Sequence, residues 1–89
     1  MIEETNKQQL NNFLSNIAWI RKKYGISKRK MSEALKISIA SLNKIENGIL
    51  PPKLSMDIVF NIYISFGIEP KTMFAINFDE KSPFDYHKW

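Results

Sequence analysis

Cysteine is absent from this 89-residue chain, so neither a disulfide framework nor a thiolate metal site can stabilise it, and a hydrophobic core must do so. The same absence fits a cytoplasmic location. Histidine occurs once, as His87 near Asp85, which leaves a zinc site without enough ligands. Only three glycines are present, scattered singly, so no glycine-rich loop can cradle a phosphate, and no serine stands in a strained nucleophile turn. An enzyme is not expected, and no cofactor or small-molecule ligand is implied. Long apolar runs are missing as well. The most apolar stretch, Ile58 to Ile68, is interrupted by Asn61 and Ser65 and falls far short of the ~20 residues that cross a bilayer. The opening Met1-Ile-Glu-Glu-Thr-Asn carries acids where a secretory signal carries bases, so export by that route is not expected.

What is present is the ordinary balance of a folded protein, 44% hydrophobic and 25% charged, in a length that suits one domain. The net charge of +4 is unevenly placed. Residues 16–53 hold nine bases against Glu33 and Glu46, a net +7, while the remainder sums to −3. Such a block is either a solvated face or a surface for a polyanion, and local structure has to decide between them.

The hydrophobic periodicity predicts five helices. Thr5 and Gln8 form a capping-box pattern ahead of Leu10, Phe13, Leu14, Ile17, Ile20 and Tyr24, and Gly25 ends that helix. Ser27 caps a short helix over residues 28–35, with Met31, Ala34 and Leu35 on one face. Ser38 caps a third, whose inward residues are Leu42 and Ile45 and which ends at Asn47-Gly48. Pro51-Pro52 enforces a loop. Ser55 caps a fourth helix whose apolar positions Ile58, Val59, Ile62, Tyr63 and Phe66 run to Gly67, and Pro70 opens a brief fifth through Phe74 to Ile76. The β-branched residues of the fourth segment also suit a strand, but no partner strand is on offer. An all-α fold is expected, with the domain over residues 1–76, including an N-terminal helix extension, and an irregular aromatic tail over 77–89.

A short helix, a three-residue turn and a second short helix, carried within the basic block, is the arithmetic of a helix-turn-helix DNA reader. Gly25-Ile-Ser-Lys-Arg-Lys-Met-Ser-Glu-Ala-Leu-Lys-Ile-Ser38, followed by Leu42-Asn-Lys-Ile-Glu-Asn-Gly48, resembles the phage-repressor/Cro-like class of helix-turn-helix regulators, the xenobiotic-response-element class, over residues 16–74. The resemblance implies a compact, five-helix, lambda-repressor-like bundle. It also implies transcriptional regulation, most often repression, in a bacterium, phage or mobile element, with double-stranded DNA as partner. Met31, Leu35, Ile37, Leu42 and Ile45 would hold the helix crossing from inside, with a small residue, Ser32, where the helices approach. Glu46 matches the family acid that pairs with an arginine of the first helix, and Arg21 stands where that partner is expected.

On this reading Ile39, Ala40, Ser41, Asn43 and Lys44 are the candidates for base contacts, and Ser27, Lys28, Arg29, Ser38, Asn47, Ile49 and Lys53 for phosphate contacts. Asn47 can equally be a plain C-cap, with the amides of Ile49 and Leu50 beyond it turned to a phosphate. Two positions depart from the family. Lys28 replaces a glutamine that braces the third helix, so that brace is expected to be lost, and Lys36 replaces the turn glycine, which puts a lysine in left-handed conformation. A rival reading keeps the fold but makes it a protein-interaction module, a regulatory partner or antitoxin-like protein, with Ile39 and Ala40 in an apolar surface. Phe78, Phe84, Tyr86 and Trp89 have no evident core to join; they either fold back over helices 1 and 5 or make a homodimer through the C-terminal region.

Overall fold

The computed structural model describes residues 2–50 and 56–80. Within them the chain forms five helices and no strand: α1 (Ile2–Lys23), α2 (Lys28–Leu35), α3 (Ile39–Glu46), α4 (Met56–Phe66) and α5 (Pro70–Ala75). α1 packs on α3 and α5, and α2 bridges α3 and α4. The result is an all-α, lambda-repressor-like bundle.

Each helix contributes one apolar stripe to a common core. Phe13, Leu14, Ile17 and Ile20 of α1 meet Met31 and Leu35 of α2, Leu42 and Ile45 of α3, and Ile58, Val59 and Ile62 of α4, with Ile68 and Met73 closing one end. At eight residues apiece, α2 and α3 are too short to persist alone, because nucleation needs about 12–15 residues even in good helix formers. Their two buried aliphatic side chains each, worth roughly 1.5–3 kcal/mol apiece, hold them in place.

The ends of the first three helices share one device. Beyond α1 the amides of Gly25 and Ile26 turn back to the carbonyls of Lys22 and Arg21; beyond α2 those of Lys36 and Ile37 turn back to Glu33 and Ser32; beyond α3 those of Gly48 and Ile49 turn back to Ile45 and Lys44. This is the Schellman closure, which needs a left-handed residue at its corner. Two corners are glycine, but the third is Lys36 at φ 60°, as the sequence predicts.

Three expectations are corrected. α1 starts at Ile2, so Thr5 lies inside the helix and is not its cap; Glu3 and Glu4 favour helix and carry it past the capping-box pattern. Tyr24 and Tyr63 are 46% and 47% exposed, not core residues. Tyr24 falls one residue beyond α1 and stacks on Phe66 with ring centroids 5.7 Å apart. Phe78 does find a core: it is 2% exposed and meets Trp19 edge to face at 5.3 Å. Ser55 and the Pro51-Pro52 loop lie outside the described residues.

Asparagines secure the C-terminal end of the fold. Asn16, on the buried side of α1, donates to the carbonyls of Met73 and Ile76 at 2.8 and 2.7 Å and accepts from the Phe78 amide at 2.9 Å. Asn12, one turn earlier, donates to the Phe74 carbonyl at 3.0 Å. Both satisfy carbonyls at and beyond the end of α5, which no further turn of helix could pair. Asn61 does the same for α2, donating from α4 to the Leu35 carbonyl at 3.2 Å.

Candidate nucleic-acid interface

The α2–turn–α3 unit is positioned by its caps and by two polar bridges. Ser27 accepts the Lys30 amide at 3.1 Å, and Ser38 accepts the Ser41 amide at 3.0 Å, so both hydroxyls stop the preceding turn from running on. Ser32 is nearly buried between the helices, and its hydroxyl donates back to the Arg29 carbonyl at 2.7 Å, leaving no unpaired polar atom at the crossing.

Arg21 fixes α3 to α1. Its Nε and Nη2 donate to the two carboxylate oxygens of Glu46 at 2.5 and 3.0 Å, and Nη1 reaches the Ile26 carbonyl at 3.2 Å. The side chains are only 17% and 10% exposed, so the fork is held largely away from water. Donating to the Glu46 carboxylate raises the Arg21 pKa above its already high value, against the opposing effect of burial. The pair braces the frame; it does not face outward.

Lys28 supplies the second bridge. Its Nζ donates to Asn43 Oδ1 at 2.9 Å, from the first residue of α2 to the middle of α3. This corrects the expectation that replacing the family glutamine forfeits a brace to α3. Lysine keeps the bond and adds a charge, with two further N–H donors turned to solvent.

The outward face of α3 carries Ile39, Ala40 and Lys44, all exposed, with Ser41 and Asn43 half-buried beside them. Leu42 and Ile45 point the other way and are fully buried. Eight residues span about 12 Å, close to the width of the major groove. Next to this face, Lys28, Arg29 and Lys30 open α2, and all three are exposed. Arg29 also meets Glu33 at 3.5 Å, in a pair so exposed that it has little hold on the guanidinium.

At the far end of α3, Asn47 occupies the C-cap at φ −92°, with its amide directed to Asn43 and Lys44 carbonyls. The Ile49 amide donates to the Lys44 carbonyl at 2.8 Å and is therefore spent in the Schellman closure. It has no proton left for a phosphate, so the expected backbone contact at Ile49 is not available. Lys53 lies outside the described residues. Sequence reasoning missed Asn16, Asn12 and the Lys28–Asn43 bond; the i, i+4 spacing of the two asparagines on α1 is the one signal that marks them.

A model of the Helix-turn-helix family matches residues 17–62, from the middle of α1 through most of α4. The chain belongs to the Cro/C1-type helix-turn-helix family. It is thus a DNA-binding regulator by family, and the matched residues contain both bridges and the whole α2–turn–α3 unit. No curated protein and no solved structure shows significant similarity to the chain. Among the described residues no group of acids and histidines could hold a metal ion, and no helix is long and apolar enough to cross a membrane.

Proposed function

We propose that this family member reads a specific sequence in double-stranded DNA and represses transcription by occupying it, in the cytoplasm of a bacterium or within a phage or mobile element. The observation that carries this reading is the exposed row on α3 held in register by the Lys28–Asn43 bond, on a frame that the Arg21–Glu46 fork stabilises. With α3 in the major groove, Ile39 and Ala40 meet thymine methyl groups, Lys44 donates to guanine, and Ser41 and Asn43 supply the remaining polar contacts. Phosphates on either side are met by Lys28 and Arg29, by the α2 terminus at Ser27, and by Ser38, Asn47 and Lys53.

Repression follows from the resemblance to phage repressors and from the simple action of a bound domain that blocks access to its site. Selection of duplexes from a random library tests the reading. Enrichment of one sequence is expected; a pool that stays random after repeated rounds would overturn it.

One observation favours the rival protein-interaction reading, namely that Ile39, Ile49 and Leu50 are 46%, 54% and 48% exposed around α3. A protein complex of that face that is insensitive to salt would support it. The homodimer expected through the C-terminal region rests on Phe84, Tyr86 and Trp89, which lie outside the described residues, since Phe78 is committed to the core.

A further inference from the structure

Of the eight asparagines in the chain only Asn47 is followed by glycine; the others precede lysine, isoleucine, phenylalanine or a second asparagine. The difference is chemical, because the amide nitrogen after an asparagine can attack the side-chain carbonyl, and a residue with no Cβ leaves that approach open. Asn47 and Gly48 are both exposed at the end of α3, and among the described residues the Asn47 side chain makes no hydrogen bond. The main chain holds the reaction back. Asn47 stands at ψ 9°, which turns the Gly48 nitrogen roughly a third of a turn away from the Asn47 Cβ, and the Gly48 N–H donates to the Ile45 carbonyl at 3.0 Å. Gly48 at φ 76° and the Ile49 amide, bound to the Lys44 carbonyl at 2.8 Å, complete the same Schellman closure. Attack therefore waits for this last turn of α3 to open, and an exposed helix end opens far more readily than the core.

We propose that Asn47 is a site of spontaneous deamidation, gated by the Schellman closure, and that its product disarms the nucleic-acid interface. With the turn open, the Gly48 amide nitrogen gives up its proton to water and attacks Cγ of Asn47. The N–Cγ bond forms, the Cγ–Nδ2 bond breaks, and Nδ2 takes up a proton and leaves as ammonia. One water molecule then opens the cyclic succinimide, at one carbonyl to aspartate or at the other to isoaspartate. Both products carry a carboxylate where the chain had a neutral amide. At the C-cap the new charge opposes the negative end of the α3 dipole, and beside a duplex it repels the phosphate that Asn47 would meet. The loss of binding rests on the DNA-binding reading above, whereas the chemistry stands apart from it. Isoaspartate does further harm, because the main chain then runs through the former side chain and gains a methylene group just ahead of the amides that close α3. A duplex seated on α3 keeps the turn shut, so the free protein is modified and the bound protein is spared.

Peptide mapping by mass spectrometry of the full chain, incubated in warm and mildly alkaline buffer, tests it, since each event adds about 1 Da. In guanidinium chloride the chain should convert at Asn47 while its other asparagines stay intact. Gly48→Ala should slow that conversion, measured in the same denaturant so that folding plays no part. The folded chain should convert at the same residue about tenfold to a hundredfold more slowly, as expected for two closing hydrogen bonds, and more slowly again with the selected duplex bound. Asn47→Asp, which makes the aspartate product directly, should bind every duplex about tenfold more weakly than Asn47→Gln at low salt, with the gap closing as salt rises. The inference is overturned if the folded chain gains no mass at Asn47 after about a hundred half-lives of the unfolded chain, or if folded and unfolded chains convert at one rate. Equal affinities of Asn47→Asp and Asn47→Gln would overturn the loss of binding. A chain that binds no duplex at all would overturn that loss together with the DNA reading, and the mass gain alone would then decide the deamidation.

Discussion

Glu46 and Arg21 illustrate how a residue near the interface can serve the frame and leave the reading of bases to others. Their fork is mostly buried, so Glu46→Gln, which leaves the guanidinium without its counter-charge, should destabilise the fold by about 1–3 kcal/mol. For a domain of this size each kcal/mol lowers the melting temperature by about 4–8 °C. Base preference should stay as it was; a variant with unchanged melting and altered preference would contradict the assignment. Because the Arg21 pKa is raised in the fold, the contribution of its charge is fully present below the unfolded value and is lost only as pH climbs through the folded one, far above neutrality. Between about pH 5 and 9 Arg21 should therefore add no slope to stability. Lys36 poses the opposite case, a side chain where glycine costs less. Lys36→Gly should stabilise by about 1 kcal/mol in urea unfolding, since the left-handed corner penalises any Cβ, and an unchanged midpoint would deny that strain. Asn16 is the polar residue on which most depends. Asn16→Ala strands two carbonyls and an amide, and Asn16→Asp cannot donate to the carbonyls, so each should cost about 2–4 kcal/mol by the same measurement.

α2 and α3 act as one unit through the bond from Lys28 to Asn43, and the two partners should fail differently when removed. Asn43→Ala loosens the register of α3 but keeps the ammonium, so discrimination between duplexes should fall while the salt dependence of binding stays the same. Lys28→Ala removes both, and the log-log salt slope should drop by about 1 as well. Equal slopes for the two variants in salt titrations would mean that Lys28 meets no phosphate. These helices were legible in the sequence down to their ends because the signals are local: Ser27 and Ser38 cap within three residues, and the Schellman corners follow directly. The Lys28 bond was not legible, since it depends on how closely two helices pass. Asn16 escaped for a related reason, as its partners stand 57 to 62 residues away and its i, i+4 spacing from Asn12 does not say what the two asparagines bind. Phe78 follows the last periodic segment, so nothing in its neighbourhood says that Trp19 is waiting for it. At α1 the local signal misled, because Glu3 and Glu4 extend the helix beyond the Thr5 pattern.

At the scale of the molecule, the bundle sorts its surfaces by chemistry. The basic α2 and the mixed face of α3 adjoin each other, while α4 carries its exposed apolar row on an element that rests on α2 and α5. A protein arranged in this way gains affinity for any duplex from its charge and gains selectivity only from the few side chains that reach base edges. That division is the central claim, and one titration tests it most directly. The unmodified chain, Lys28→Ala, Lys44→Ala and Ile39→Ser are each titrated at several salt concentrations against the selected duplex and a scrambled one. Lys28→Ala should lose affinity on both duplexes. Lys44→Ala should lose about 1–3 kcal/mol on the selected duplex beyond its loss on the scrambled one, and Ile39→Ser a smaller amount in the same sense. Equal losses on the two duplexes for every variant would contradict the account, because α3 would then be held against DNA by charge and would read nothing.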